Sequence, residues 1–318
     1  MKVLVLGGAG FIGRHAVAAL LARQHEVIVG SRHPQRAGKR LGPSAQGCER
    51  RQLRFEQMTQ AEQWRHCLRD VDAVVNSVGI LRERGRETYD AVHRRAPMAL
   101  AHACREKGIR LVHVSALGLN HPHRSGFLRS KLRAEQALGH SGVDYRLVRP
   151  SLLDGDGGYG ARWIRWLARL PVHVLPASAL GRIAVLHVED LGEALARLVE
   201  IAIVDDAPAE QREFDLGGLQ QRDLATYMQA IRLHGIGSPA RCLRVPGWLA
   251  RIGSHLCDVA HFSPFSFGHW ELLQQDNIPR CNRLPELLGR LPRVVAAEVK
   301  APAAGPATSP APTGISAY

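Results

Sequence analysis

The run Gly7-Gly8-Ala9-Gly10-Phe11-Ile12-Gly13 stands directly after a short apolar stretch, residues 3–6, and opens a segment in which Ile12, Ala16, Ala19 and Leu20 recur at helical spacing. Glycines at such a junction let the chain turn tightly and let a phosphate approach the backbone. The first turn of the helix adds free N–H groups and a partial positive charge. A second β-branched run, residues 27–29, follows at the distance a strand–helix–strand unit requires. The expected ligand is a dinucleotide, with Gly7, Gly10, Phe11, Ile12 and Gly13 against its pyrophosphate. The spacing is GxxGxxG rather than GxGxxG.

At the end of the second strand a carboxylate would accept hydrogen bonds from a ribose 2′-hydroxyl. This chain carries Gly30, Ser31 and Arg32 there. A guanidinium suits a 2′-phosphate, which a carboxylate would repel. The pattern therefore favours NADP(H), with NAD(H) as the alternative, and makes Ser31 and Arg32 the phosphate contacts, with Arg14 and Arg36 as further candidates. In the competing reading Arg32 and Arg36 are solvated loop residues.

The elements that must position these residues alternate between short apolar runs and longer helical stretches. Strands are expected at 3–6, 27–29, 73–76, 111–115, 145–149, 183–187 and 214–216. A helical pattern around Val92, Ala99, Ala103 and Cys104 should be kinked or restarted by Pro97. The pattern is α/β, a Rossmann-type doubly wound parallel sheet with a small, mainly helical C-terminal cap. The expected organisation is a dinucleotide-binding domain over 1–235, interrupted by an excursion at about 152–181, then a cap over 236–299 with helices at 222–234, 246–260 and 270–275. Residues 300–318, rich in Ala and Pro, should be disordered.

In the excursion, Trp163, Ile164, Trp166, Leu167 and Leu170 share helical spacing with Arg162, Arg165 and Arg169. This stripe reads as a core-facing helix in preference to a lid or a membrane-facing surface. The apolar set Trp248, Leu249, Ile252, Leu256, Phe262, Phe265 and Phe267 reads as closing the substrate side rather than binding lipid.

Composition narrows the classes. The 318 residues are 45% hydrophobic, enough for a sizeable core. No stretch approaches the roughly 18 to 20 apolar residues of a spanning helix, and the start is too short and glycine-rich for a signal peptide. Six cysteines with no CxxC pair indicate neither a disulfide framework nor a zinc site, and fit a reducing cytoplasm. The formal net charge is +13, but the arginines are dispersed and not interleaved with aromatics, so a specific nucleic-acid partner is not expected. No metal is expected either: the His121-x-His123 pair lacks a third ligand.

Further motifs are Asn76-Ser77-Val78-Gly79 after the strand at 73–76, Val114-Ser115-Ala116, Lys131 in a helical stretch, Arg149-Pro150-Ser151 and His187-Val188-Glu189-Asp190-Leu191. Together with the glycine loop they resemble the short-chain dehydrogenase/reductase superfamily in its extended and atypical branches, over about residues 1–218. Residues 75–79, Ser115-Ala116-Leu117-Gly118 and Phe127-Leu128-Arg129-Ser130-Lys131 are most similar to the complex I alpha-subcomplex subunit 9 family, a nucleotide-binding accessory subunit, and its bacterial homologues.

The resemblance implies cofactor contacts at Asn76, Val78, Gly79, Ser115, Lys131 and Pro150. It gives Ser115 and Lys131 the outer roles of a Ser–Tyr–Lys set. The tyrosine position, one helical turn before the lysine, is Phe127. Phenylalanine has no proton to transfer, so the resemblance implies cofactor binding without orthodox carbonyl reduction. His121, His123 and Tyr159 are the candidate substitute donors. Asp190 is expected to cap the helix after 187.

The leading expectation is an NADP(H)-holding protein with a structural or redox-sensing role near a respiratory or membrane partner, cytoplasmic or peripheral at the inner membrane face. The alternative is an active oxidoreductase on a hydrophobic carbonyl or quinone.

Overall fold

In the computed structural model, which describes residues 1–204, 207–260, 263 and 265–296, the apolar runs form a parallel sheet. It contains β1 (Lys2–Leu6), β2 (Glu26–Ser31), β3 (Glu49–Gln52), β4 (Ala73–Asn76), β5 (Arg110–Val114), β6 (Tyr145–Pro150) and a last strand, Glu213–Leu216. Their spatial order is last strand, β6, β5, β4, β1, β2, β3. The chain winds outward from β1 to β3 and then returns to β4 on the other side of β1. The loops leaving β1 and β4 therefore diverge and open a crevice at the carboxyl ends of the strands.

Both faces of the sheet are covered, which is why its central strands read as apolar runs. Along β1 the side chains alternate. Val3 and Val5 face α1 (Phe11–Ala22), while Leu4 and Leu6 share a cluster with Trp64 and Leu100 on the opposite face. The short helix α2 (Pro34–Ala37) follows β2, and α3 (Ala61–Arg65), α4 (Ala96–Glu106) and α5 (Gly126–Gly139) contribute to that opposite face. A π-helical turn, Asp90–Arg95, leads into α4 with Pro97 in the first α-helical turn, the restart expected from the sequence. Beyond the sheet, α6 (Tyr159–Ala168) belongs to the excursion, and α7 (Val188–Glu200) packs beside α1.

Three expectations are corrected. Polar β3, Glu-Arg-Arg-Gln, was not foreseen; it is an edge strand that pairs through its backbone with β2, so no apolar core selects its side chains. Residues 183–187 do not form one sheet strand. Arg182–Ile183 pairs antiparallel with Arg222–Asp223, and Leu186–His187 pairs with Leu153–Asp154. Backbone groups between them are taken by loops instead, Ala184 N–H by Ser151 Oγ (3.1 Å) and the Ala184 carbonyl by Gly218 N–H (2.9 Å).

Thirdly, Asp190 does not cap α7. The cap is His187, whose Nδ1 accepts from Glu189 N–H at 3.4 Å. Asp190 is fully buried and instead anchors the segment near 290, accepting from the Arg290 guanidinium (2.8 Å) and the Arg293 N–H (2.6 Å).

The C-terminal region is mainly helical. The expected helices appear as Leu224–Ile236, Gly247–Ala260 and Phe267–Leu272, the last starting earlier because Ser266 Oγ caps it at His269 N–H (3.3 Å). The strands Val172–Pro176 and Arg241–Val245 add a two-stranded parallel ribbon. The expectation for residues 300–318, the end of the cap and Phe262 lie outside the described residues.

Part of the arginine excess is structural. Asp144 pairs with Arg110 (2.9 Å), Arg212 (3.5 Å) and the fully buried Arg146. Arg110 and Arg146 donate to the carbonyls of Val199 (2.6 Å) and Ile201 (2.7 Å), at the negative end of the α7 dipole. Glu200, at that same end, binds Arg23 Nε (2.7 Å) and His25 Nε2 (2.8 Å), tying α7 to the end of α1.

Candidate functional site

The glycine loop is closed on itself where β1 meets α1. Gly7 has φ +73°, a conformation that disfavours a side chain, and its N–H donates to the Gly30 carbonyl at 3.0 Å. A Cβ on Gly13 would lie 2.2 Å from the Gly7 carbonyl oxygen, so helix and loop can approach this closely only with glycine there. No side chain caps α1. Its first N–H groups are thus available to an anion.

Facing this loop is the turn after β4. Asn76 is fully buried; its Oδ1 accepts from Val78 N–H (3.1 Å), so its amide nitrogen is the donor to His113 Nδ1 (3.0 Å). Ser77 Oγ donates to the Leu6 carbonyl at 2.8 Å, tying the two loops together. Burial drives the His113 pKa down to about 3, with Lys131 adding to the effect, so the ring is neutral.

Ser115, just beyond β5, donates its N–H to the Val148 carbonyl (2.8 Å), and its buried hydroxyl is hydrogen-bonded to the Glu135 carboxylate. Helix α5 carries Phe127 and Lys131 one turn apart, with Lys131 Nζ 5.8 Å from the Phe127 ring centre. A Cβ on Gly79 would lie 4.0 Å from that Nζ, which places the ammonium under the β4 turn. Among the described residues Lys131 makes no ion pair, and burial lowers its pKa to about 8 against the opposing pull of Glu135. Burial also raises the Glu135 carboxyl; Arg149, 2.8 Å away, works in the other direction.

Arg149 is thus engaged with Glu135, and it also binds Glu213 at 2.6 Å. Pro150 ends β6 with its carbonyl taken by Leu117 N–H at 3.1 Å.

The rings around Phe127 are those of Tyr89, His93 and His269, at centroid distances of 6.0, 5.6 and 6.3 Å. None of the three was singled out from the sequence. They come from segments far apart in the chain, and no spacing rule connects them. His93 Nε2 accepts from Ile80 N–H (3.0 Å), which makes Nδ1 the protonated nitrogen that donates to Ser130 Oγ (2.9 Å). Burial, followed by Lys131, holds the His93 pKa well below its ordinary value. The Tyr89 phenol is committed to the Leu81 carbonyl (2.8 Å), and burial pushes its pKa up to about 12. His269 stacks on Phe127, its Nδ1 is 2.7 Å from Ser266 Oγ, and burial lowers its pKa to about 4.

The other candidates lie elsewhere. His123 Nε2 is bonded to the Gly118 carbonyl (2.7 Å), and Tyr159 opens α6 with 44% of its surface exposed. Arg14 sits over the Phe11 ring at 5.8 Å and donates to the Asp156 carbonyl. Ser31 Oγ accepts from His33 N–H (3.1 Å), and exposed Arg32 is ion-paired with Glu87 rather than simply solvated.

The crevice, the glycine loop and the Ser115–Lys131 pair define a nicotinamide-dinucleotide-binding protein. The cradle that a Cβ on Gly13 would fill, the uncapped helix and the buried Ser115 hydroxyl all fit such a ligand. Residues 7–165 match the family model described as NAD(P)H-binding, and the chain belongs to that family, among the atypical short-chain dehydrogenase/reductases. It is 28% identical over 272 residues to the ceramide reductase of Caulobacter vibrioides, covering 77% of this chain and 73% of that one. It is 23% identical over 220 residues to the mitochondrial NADH dehydrogenase [ubiquinone] 1 alpha subcomplex subunit 9 of Arabidopsis thaliana. That match spans 67% of this chain and about half, 53%, of the plant protein.

Among solved structures, the NADPH-dependent quinone oxidoreductase of Escherichia coli superposes with TM-score 0.65 at 17% identity, covering 93% of this chain and 97% of that one. The NAD complex of Thermus thermophilus UDP-glucose 4-epimerase gives 0.59 at 20%, covering 77% and 86%. At these identities the structures share the fold. No helix among the described residues is long and apolar enough to cross a membrane.

Proposed function

We propose that the protein binds NADP(H) in the crevice between β1 and β4 and holds it in a structural or redox-sensing role. A respiratory or membrane partner on the cytoplasmic side would read that bound state. The observation that carries this reading is a buried polar pair, sharing the Glu135 carboxylate as its neighbour, beside an apolar residue at the position of the proton donor. The Ser115 hydroxyl is buried beside the Glu135 carboxylate, the Lys131 ammonium is desolvated without an ion pair among the described residues, and the residue one turn before the lysine is Phe127.

An ammonium left in that state is costly, and a nicotinamide ribose supplies the missing hydrogen bonds. Gly7, Gly10, Phe11, Ile12 and Gly13 receive the pyrophosphate, Asn76, Val78 and Gly79 line the opposite wall, and Pro150 flanks the nicotinamide end. Ser31 and Arg32 take the 2′-phosphate once Arg32 exchanges Glu87 for it. The bound nucleotide brings a transferable hydride. Phe127 withholds the proton that ordinarily accompanies it.

A second reading, reduction of a hydrophobic carbonyl or quinone, is favoured by His269. Its ring stacks on Phe127, with Nδ1 at hydrogen-bonding distance from Ser266, and it is neutral at pH 7, so its other nitrogen can relay a proton. The likeness to a ceramide reductase supports a lipid substrate for that reading.

Titration with NADPH and with NADH, followed by nucleotide fluorescence, tests both. The proposal expects tighter NADPH binding and no oxidation on adding long-chain ketones or quinones. Oxidation that disappears in His269→Gln would establish the second reading, and failure of both nucleotides to bind would remove both.

A further inference from the structure

The helix Gly247–Ala260 is packed inside out. Ala250 and Ser254, four residues apart, are buried, with the Ser254 hydroxyl closed onto the Arg251 carbonyl at 2.7 Å. The large apolar side chains lie on the solvent side. Trp248, Ile252 and Leu256, at successive i, i+4 steps, are 64%, 52% and 63% exposed, and Leu249 accompanies them. An ordinary surface helix buries such a stripe.

The ribbon that leads into this helix repeats the arrangement. His173 and Leu175 point inward, while Val172 and Val174 are exposed, the latter level with exposed Leu243 on the paired strand. The stripe of α6 is split: Ile164 packs against Ala168, Leu175 and Met228 as the core-facing reading expects, whereas Trp166, Leu167 and Leu170 are exposed. The expectation that Trp248, Leu249, Ile252 and Leu256 close the substrate side is overturned. They face solvent, whereas Phe267 is partly buried between His255 and Trp270.

Charge on these elements has one sign. Residues 159–187 and 224–257, which contain α6, the ribbon and nearly all of the inverted helix, hold eight arginines and no aspartate or glutamate. Arg162, Arg169, Arg241 and Arg251 are exposed and have no acidic partner among the described residues. The acids flanking these stretches are each paired with an arginine, Asp156 with Arg165 (3.0 Å), Glu189 with Arg293 (2.6 Å), Asp223 with Arg244 (3.6 Å) and Asp258 with Arg82 (3.0 Å). Exposed tryptophan and aliphatic side chains on elements that also carry exposed arginines without acidic partners match an interface with headgroups outside and acyl chains within.

From this we infer that α6, the ribbon Val172–Pro176/Arg241–Val245 and the helix Gly247–Ala260 form a docking surface for an anionic lipid bilayer. Trp248, Ile252 and Leu256 enter the acyl boundary and the arginines engage lipid phosphates. The inference stands apart from the hydride-transfer question. It applies equally to a cofactor-holding protein and to a reductase taking its substrate from the membrane.

Co-sedimentation of the full chain with vesicles tests it, using phosphatidylglycerol–phosphatidylcholine mixtures against pure phosphatidylcholine, at low and high salt. Binding is expected to the anionic vesicles only, weakening as salt rises. Ile252→Asp/Leu256→Asp should abolish it while leaving NADPH affinity unchanged, which verifies that the variant is folded and tests the nucleotide reading separately. Arg169→Gln/Arg241→Gln should weaken it on the order of 10- to 30-fold. No binding to anionic vesicles at low salt, or unchanged binding in the aspartate variant, overturns the inference. So does a wild-type dimer that the aspartate variant breaks in the absence of lipid binding, since the face would then be an interface between copies of the chain.

Discussion

Lys131 exerts two opposed effects, and replacing it separates them. Its ammonium is desolvated and lacks an ion pair among the described residues, so the folded, nucleotide-free protein holds its proton less tightly than the unfolded chain does. Between the folded value, about 8, and the ordinary 10.5, the unfolded state binds more protons, and stability rises with pH across that window. Below pH 8 the full penalty applies. At about 1.4 kcal/mol per unit it amounts to at most about 3 kcal/mol, reduced toward about 1 by the lysine's residual solvent contact and the nearby Glu135 carboxylate.

Lys131→Met retains the aliphatic stem and removes the charge. Urea unfolding of the nucleotide-free proteins should show the variant more stable by about 1–3 kcal/mol at pH 7, with the gap closing by about pH 10.5 as wild-type Lys131 loses its proton. Taking the difference between variant and wild type cancels other groups that titrate over this range, such as the tyrosines. Added NADPH should reverse the order, because only wild type regains a partner for the ammonium. A variant that is less stable at pH 7, or a gap that is the same at both pH values, would refute the idea that Lys131 is held in strain for a ligand.

Gly13→Ala puts a methyl group against the Gly7 carbonyl, 2.2 Å away, and should lower stability by about 1–3 kcal/mol and weaken NADPH binding at least tenfold; equal affinity in a fluorescence titration would contradict the loop assignment. Glu87→Gln frees Arg32 and should raise the preference for NADPH over NADH several-fold, whereas an unchanged ratio would show that Arg32 does not read the 2′-phosphate. Phe127→Tyr restores the missing phenol one turn from Lys131 and should introduce slow carbonyl reduction without altering cofactor affinity. Loss of cofactor binding would mean the helix is wrongly aligned with the site. Glu200, held down to about 2 chiefly by Arg23, stabilises the α1–α7 junction above its unfolded pKa near 4.5. Glu200→Gln should cost about 1 kcal/mol at pH 7, an effect that fades as pH falls from 4.5 toward 2, while a pH-independent loss would assign the effect to packing.

The parts of this fold that were legible in the sequence are those where burial dictates residue type. β1, β2 and β4 to β6 are covered on both faces and read as apolar runs, and the glycine loop is fixed by close backbone approach. β3 escaped because its edge position imposes no side-chain pattern. Phe127 and Lys131 were legible as a pair through the resemblance of the segment that carries them, with which their separation of one helical turn agrees, but Tyr89, His93 and His269 reach the same place by tertiary packing, which spacing does not encode. The apolar stripe through Trp248, Ile252 and Leu256 was visible, yet periodicity reports that a helix has an apolar side and not which way that side faces.

The π-helical turn at Asp90–Arg95 has a consequence for how the site's floor can change. Pro97 lacks the N–H that would continue an ordinary helix backward, and the wide turn accommodates that break. His93 lies inside it, reaching Ile80 on one side and Ser130 on the other, while Tyr89 just before it stacks on the histidine ring. Removing one residue from this turn would restore regular winding and rotate everything upstream by about 100° relative to α4. The sheet would survive, yet the ring pair would swing away from Phe127. The placement of this histidine is thus stored in helix phase, and a single-codon deletion could erase it while every residue type in the site remained the same.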